Sequence, residues 1–413
     1  MVLGTRCKKR PGRSSEDSNG GVVDTERPNF IDLFAGAGGF SLGLHQAGMR
    51  GLFAIERDPM AFSTLEHNLV KGEGAFDWPE WLPQKPMDIR HLLGSYSDQL
   101  SRLSGNVDVV VGGPPCQGFS VAGRRVEHDE RNMLFKEYVR FVDIVKPRVI
   151  LFENVPGFSY SFNRKGSASV AYSSKLSTEL RAAGYEEPAQ EIFDFSDYGV
   201  PQARKRLMLC SVVKGGDPSQ LTEQLLSSQF PRKITVIEAI SDLKRSHGEI
   251  QSPDSSNFMS GIYGRTESDF QRRMRNRTSK MMPDSHRFAR HSSGVTERLS
   301  KIVRFSSRSG FLARDYINSL GLKKRDIRAL NPDLPSPTLT SLPDDYVHYQ
   351  EPRILTVREY ARIQSFPDWY EFRGNYTTGG ARRAVEVPRY TQVANAVAPE
   401  FSTLAGKILS RVM

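Results

Sequence analysis

The chain has 413 residues, a net charge of +10 and an isoelectric point near 9.4. That length exceeds one compact core of ordinary size and favours two domains, and the charge favours an anionic partner, most simply nucleic acid. The three cysteines, Cys7, Cys116 and Cys210, have no metal-ligand or disulfide spacing and suit a reducing compartment. Apolar runs of strand length exclude a membrane span.

Residues 1–27 are rich in Gly, Ser, Arg and Lys, lack periodicity and read as a disordered tail rather than a secretory signal. Phe30–Phe34 is a short apolar strand. Ala35-Gly36-Ala37-Gly38-Gly39 is a turn, and Phe40–Gly48 has helical spacing with a glycine C-cap. Strand, glycine-rich turn and helix open a nucleotide-binding βα unit: glycines let a ligand approach the backbone, and the helix start offers N–H groups. Gly51–Glu56 is a second strand, and Glu56 lies about 20 residues past the glycines, where dinucleotide-type folds set a carboxylate on ribose hydroxyls. Asp88, followed by Ile89, is a third acid near a strand end and by itself a loop residue.

Val107–Val111 is a β-branched run that reads as a buried strand. Gly112-Gly113 ends it, and Pro114-Pro115 fixes φ twice and stiffens the loop. Cys116 therefore stands on a rigid loop at the carboxyl end of a strand, where open α/β sheets collect ligands. It is a candidate nucleophile, or a small buried hydrophobe. Arg131–Val142 is an amphipathic helix. Val149–Gly157 carries another strand that ends in Glu153, a carboxylate costly to bury without a use. Ala189–Phe195 and Arg206–Val213 are two further strands, with Arg204 and Arg206 expected on one face of an extended segment. Cys210 reads as core.

Gly215–Ser219 marks a boundary. From Gly261 to Leu330 there are 17 Lys and Arg against 6 Asp and Glu, which accounts for the whole net charge. Residues 216–337 are irregular, polar and basic, as in a module that faces nucleic acid. Thr356 and Glu359 form a capping box for a helix read as structural, within a segment (338–384) that supports the module. Residues 385–413, with an apolar terminal helix, return to the first domain (28–215).

Phe34-Ala-Gly36-Ala-Gly38-Gly39, Pro114-Pro115-Cys116-Gln117, Glu153-Asn154-Val155 and Gln202-Ala-Arg204-Lys-Arg206 occur in that order. Arg358-Glu359 with Arg362-Ile-Gln364-Ser-Phe366-Pro367, and then Asn395-Ala396-Val397, complete the set. Together they resemble the motifs of the C5-cytosine DNA methyltransferases of bacterial restriction–modification systems. The resemblance covers Pro28 to Val213 and Pro335 to Met413. It implies an α/β fold: a Rossmann-like, S-adenosylmethionine-dependent domain, without metal, and a small inserted target-recognition domain at 216–337.

The resemblance also implies a chemistry. The Cys116 thiolate adds to C6 of a cytosine flipped out of the duplex, which makes C5 nucleophilic. Glu153 holds N3 and the exocyclic amine, a task that calls for burial favouring its neutral carboxyl. Arg206, supported by Arg204, binds O2 as a fixed cation. For the cofactor it assigns the Gly36, Gly38 and Gly39 turn, Phe34 to the adenine or sulfonium surroundings, Glu56 to the ribose, and Asp88 with Ile89 to the adenine. Pro114, Leu134, Asn395 and Val397 line the same pocket. Gln117, Ser120, Arg124 and Arg125 close over DNA from the minor groove, and Gln202, Arg273 and Arg275 are further expected DNA contacts. The family reading implies a cytoplasmic, nucleoid-associated monomer that acts on double-stranded DNA and protects it from a cognate restriction endonuclease. A tRNA cytosine methyltransferase is the nearest alternative, but its Cys-Phe-Thr signature is absent between Gly215 and Pro335. A non-catalytic DNA-binding regulator would typically lack the nucleophile or the acid, and both are present.

Overall fold

The structure, a computed structural model, describes residues 27–115, 133–161, 163–164, 167–168, 170–306, 314–321, 327–379, 382 and 385–413. Cys116, Gln117, Ser120, Arg124 and Arg125 lie outside the described residues, as does all of the expected tail but Arg27.

Strands and helices alternate through β1 (Asn29–Leu33), α1 (Gly39–Gln46), β2 (Arg50–Ile55), α2 (Pro59–Leu65), α3 (Ile89–Ser95), β3 (Val109–Gly112), α4 (Leu134–Val145) and β4 (Val149–Asn154). After β5 (Ala189–Asp194) and the short β6 (Gln202–Ala203) comes β7 (Lys205–Val212). Six of these strands form one sheet in the order β2-β1-β3-β4-β7-β5. The first four are parallel, and β7 runs antiparallel to both of its neighbours. The chain winds from β1 to one side and then returns to the other, so a crevice opens beyond the carboxyl ends of β1 and β3.

Alternation along the strands fills both faces. Phe30, Val109, Val111, Leu151, Met208 and Cys210 pack with α1 and the terminal helix. Ile31, Leu33, Phe53, Val110, Ile150, Phe152 and Leu209 pack with α3 and α4. Covered faces on both sides are why the strands read as continuous apolar runs.

The second half carries α5 (Ser219–Ser227), α6 (Val236–Ile240), α7 (Asp269–Met274), α8 (Ser293–Ser306), β8 (Ser336–Pro337), α9 (Val357–Ile363), α10 (Arg389–Asn395) and α11 (Pro399–Val412). The described part of 216–337 is thus less irregular than its composition suggests: its helices bury apolar residues such as Leu221, Val236, Phe270 and Leu299 and leave a polar remainder. Among the described residues the core runs unbroken across the expected boundary at 215. Leu221, Leu225, Phe270, Met274, Leu339 and Tyr360 join Phe401 and the sheet in one cluster. A small separate cluster of Leu299, Ile302, Ile327, Ala329 and Val347 lies under α8.

Helix α9 is buried along its whole length although it carries three charges. Thr356 and Glu359 make both bonds of the capping box. Glu359 also takes Arg353 in two bonds of 2.8 and 2.7 Å. Arg358 donates to the carbonyls of Asp284, Pro367 and Tyr370 at 2.9, 3.2 and 2.6 Å. Arg362 donates to both oxygens of Asp368 at 2.5 and 2.6 Å, to both of Asp242 at 3.1 Å, and to the Ala239 carbonyl at 2.9 Å. Full pairing is what allows these charges to be buried. No helix among the described residues is long and apolar enough to cross a membrane.

Arg362→Leu would strip Asp242 and Asp368, both fully buried, of their bidentate partner and leave them, as ion pairs, only the longer contacts to Arg275 at 3.5 Å and Arg358 at 3.8 Å. It should destabilise the protein by about 3–5 kcal/mol, read as a lower denaturant midpoint. A midpoint equal to that of the wild type would contradict the role given to this cluster.

Candidate active site

At the end of β1 the backbone turns sharply. Phe34 takes a left-handed φ of 60°, and Gly36 and Gly38 follow at 56° and 81°. A left-handed aromatic residue is held there only by its surroundings. Glu56, at the end of β2, supplies part of that hold: its Oε2 accepts from the Gly36 N–H at 2.9 Å and its Oε1 from the Asp58 N–H at 2.7 Å. Burial pushes the Glu56 carboxyl up, against the pull of those two N–H groups. Each oxygen keeps a lone pair for a ligand hydroxyl, so the residue fits a ribose while it braces the turn.

Met87 N–H donates to the Glu56 carbonyl at 2.8 Å and draws the start of α3 to the same edge. Asp88 caps α3 through the Arg90 N–H at 2.8 Å, and Ile89 is buried in its first turn. Pro114 and Leu134, the first residue of α4, are also buried. Asn395 is the exposed last residue of α10, and Val397 lies buried in the turn to α11. A Cβ on Gly39 would meet the Val397 carbonyl at 2.4 Å, so only glycine lets that turn close on the start of α1.

Across the crevice, Gly112 and Gly113 do more than end β3. A Cβ on Gly112 would meet the Leu33 carbonyl at 2.7 Å and the Tyr138 ring at 2.8 Å, and one on Gly113 would meet Oε2 of Glu153 at 2.7 Å. Gly113 makes room for the carboxylate, and Gly112 for the close approach of β1 and Tyr138. β7 starts beside the end of β4 because the two are antiparallel, and Glu153 pairs with Met208. Arg206, two residues before Met208, shares that face, and its Nε lies 2.8 Å from Oε1 of Glu153. Asn154 Nδ2 donates to the Pro114 carbonyl at 3.3 Å, which ties the loop that leads to Cys116 to the end of β4. Arg204 is fully enclosed, whereas Arg206 keeps a partly open side chain. A carboxyl and a fixed cation side by side match the polar edge of a heterocycle.

Three expectations change here. Gln202, expected at DNA, is fully buried with both ends of its amide bonded. Arg275 turns inward, donating to the Gly264 carbonyl at 2.8 Å and stacking 4.1 Å from the Tyr263 ring. The basic run around it is largely engaged in joining distant parts of the chain. Arg277 donates twice to Glu73 at 2.8 and 2.7 Å, Arg273 lies 3.4 Å from Glu400, and Lys280 pairs with Glu371. Arg287 lies 3.6 Å from the Tyr376 ring.

Asp32 is a residue the sequence reading passed over. Buried in the middle of β1, it accepts from Ser41 Oγ at 2.5 Å and braces the first turn of α1, which has no side-chain cap of its own. Its signal was an acid inside Phe-Ile-Asp-Leu-Phe. Burial pushes its carboxyl from 3.8 up to about 7, with the Ser41 bonds pulling the other way.

Comparison with known proteins adds four findings. The family model for C-5 cytosine-specific DNA methylases matches residues 28–410. The Type II methyltransferase M.DdeI of Desulfomicrobium norvegicum is 31% identical over 391 residues, 90% of this chain and 86% of its own. M.XorII of Xanthomonas oryzae pv. oryzae is 29% identical over 403 residues, 92% of this chain and 84% of its own. Among solved structures, one described as a DNA modification methyltransferase encoded within an E. coli prophage superposes with a TM-score of 0.66. It is 25% identical and covers 93% of this chain and 99% of that one.

Because Asp32 holds its proton more tightly folded than unfolded, its contribution to stability is complete below pH 4 and is lost as pH rises through about 7. Asp32→Asn removes that term. Relative to wild type, its stability should rise between pH 4 and 7 by on the order of 4 kcal/mol, measured by denaturant unfolding at each pH. Parallel stability curves would contradict the assignment.

Proposed function

The chain belongs to the C-5 cytosine-specific DNA methylases and is a DNA cytosine-5 methyltransferase of the Type II restriction–modification type, and on that premise we propose that it methylates a flipped cytosine in a short duplex site through a transient bond to Cys116. The observation that carries this reading is the Glu153–Arg206 pair at 2.8 Å, set behind the Pro114–Pro115 loop that runs into Cys116.

The family uses S-adenosylmethionine, which when bound supplies an electrophilic methyl group. The residues fit it: the left-handed turn leaves the backbone at Phe34 and Gly36 partly open to a ligand, and Gly39 lets the Asn395–Val397 turn close on the start of α1 beside it. Glu56 retains acceptor sites for ribose hydroxyls, and Asp88 and Ile89, with Pro114 and Leu134, complete the proposed pocket.

Cytosine C5 alone is a poor nucleophile. The Cys116 thiolate donates its electron pair to C6, while Glu153 engages N3 and the exocyclic amine and Arg206 holds O2 against the charge that develops. Enclosed Arg204 supports this strand rather than touching the base. The electron pair displaced onto C5 takes the methyl group. Loss of the C5 proton to a base then restores the double bond as the S–C6 bond breaks, which returns the thiolate. The base reaches these groups only outside the helix. Gln117, Ser120, Arg124 and Arg125 would close on the DNA, and exposed Arg273 would lie toward it. Protection of host DNA from a cognate endonuclease is the role we propose for the product.

Transfer of tritiated methyl to unmethylated duplex DNA, with tRNA in parallel and the modified base mapped, tests this reading. Label is expected at C5 of cytosine within one short repeated sequence. Label on tRNA alone would overturn it. Cys116→Ser should abolish transfer and still bind S-adenosylhomocysteine, and appreciable turnover by this variant would rule out the covalent route. Gly113→Ala, which pushes Glu153 aside, should lower kcat about a hundredfold. An unchanged kcat would contradict the placement of Glu153.

A further inference from the structure

Two buried amides join the stretches of chain that the reaction must keep in register. Gln202 lies in β6, two residues before Arg204, and is fully enclosed. The Leu339 N–H donates to its Oε1 at 2.9 Å. That bond settles which way the amide points, so its Nε2 faces Gln364 and donates to Oε1 there. Gln364, also fully enclosed, sits at the C-cap of α9, and its own Nε2 donates to the Ala396 carbonyl. Ala396 and Val397 form the turn that closes on Gly39. β6 is in turn held by β8, through the pairs Gln202–Ser336 and Ala203–Pro337.

The result is one polarised line from the Leu339 N–H through Gln202 and Gln364 to the Ala396 carbonyl. Each amide accepts at one end and donates at the other, and neither can turn over alone without setting donor against donor or acceptor against acceptor. Buried amides so fully bonded are costly to disturb.

Resting on the function proposed above, we propose that Gln202 and Gln364 are positioning residues that set the spacing between the Arg204–Arg206 strand, which takes the base, and the Ala396–Val397 turn, which closes on the cofactor. Through Leu339 the same line reaches the start of the segment that follows the recognition region. Gln364 touches neither pocket, yet its loss frees both ends. A residue that merely filled space would alter stability and leave both ligand steps unchanged.

The test uses the full chain with Gln364→Met, Gln202→Met and both together. The Kd for S-adenosylhomocysteine is measured by calorimetry without DNA, and kcat with duplex DNA is measured per titrated active site. Gln364→Met should raise Kd and lower kcat, each about five- to tenfold, the worth of one buried hydrogen bond. Gln202→Met should lower kcat similarly. The double variant should lose no more than the worse single one, because the line is already broken. It also removes both amides at once, so it carries the test if a single variant fails to fold. Folded variants with wild-type Kd and kcat, or single effects that add in full, would overturn the proposal. Failure of the wild type itself to bind S-adenosylhomocysteine or to methylate duplex DNA would instead overturn the functional reading.

Discussion

Arg362 is held without access to water between Asp242 and Asp368, and the arrangement of the two halves of the molecule follows from it. An unpaired charge at that depth would be prohibitive, so α9 can seat only where both carboxylates arrive. Asp242 comes from the segment after α6, and Asp368 from the loop after α9. With α9 seated, Phe366 reaches Gly39 and the Tyr370 hydroxyl donates to the Ala37 carbonyl at 2.5 Å. The glycine-rich turn is thereby braced from a part of the chain more than 300 residues away. Replacing such a cluster by apolar residues need not lower stability; what the charges supply here is one defined seating.

The crevice depends on two features of the sheet. The reversal of winding between β1 and β3 opens it, and the antiparallel entry of β7 beside β4 brings Arg206 to Glu153. A parallel β7 would start at the opposite edge and leave the carboxylate without its cation. Glycine is used for room more than for flexibility: Gly39 admits the turn before α11, and Gly113 admits the Glu153 side chain.

Much of this was legible in the chain itself. The central strands are continuous apolar runs because both faces are covered, and the Thr356–Glu359 capping box forms as its spacing predicts. What escaped was whatever depended on partners far off in sequence. Arg275 and Arg277 count as free positive charge until Asp242, Tyr263 and Glu73 are brought beside them. Gln202 looks available for DNA until Leu339 and Gln364 enclose it. Composition sees the donors in these pairs and not the acceptors. Asp32 was missed for a different reason: a buried acid capping a helix from the strand beneath looks, along one line of sequence, like an interruption in an apolar run.

The central claim is that Cys116 attacks the base that the Glu153–Arg206 pair holds. The most direct measurement uses duplex DNA synthesised with 5-fluorocytosine throughout, so the recognition sequence need not be known. Fluorine at C5 cannot leave as the proton does, and the S–C6 bond should persist once the methyl group has been transferred. The account predicts a protein–DNA complex that survives denaturation, forms only with S-adenosylmethionine, and is attached through the peptide that contains Cys116. Normal methylation of ordinary duplex DNA with no such complex, or attachment through another residue, would contradict it.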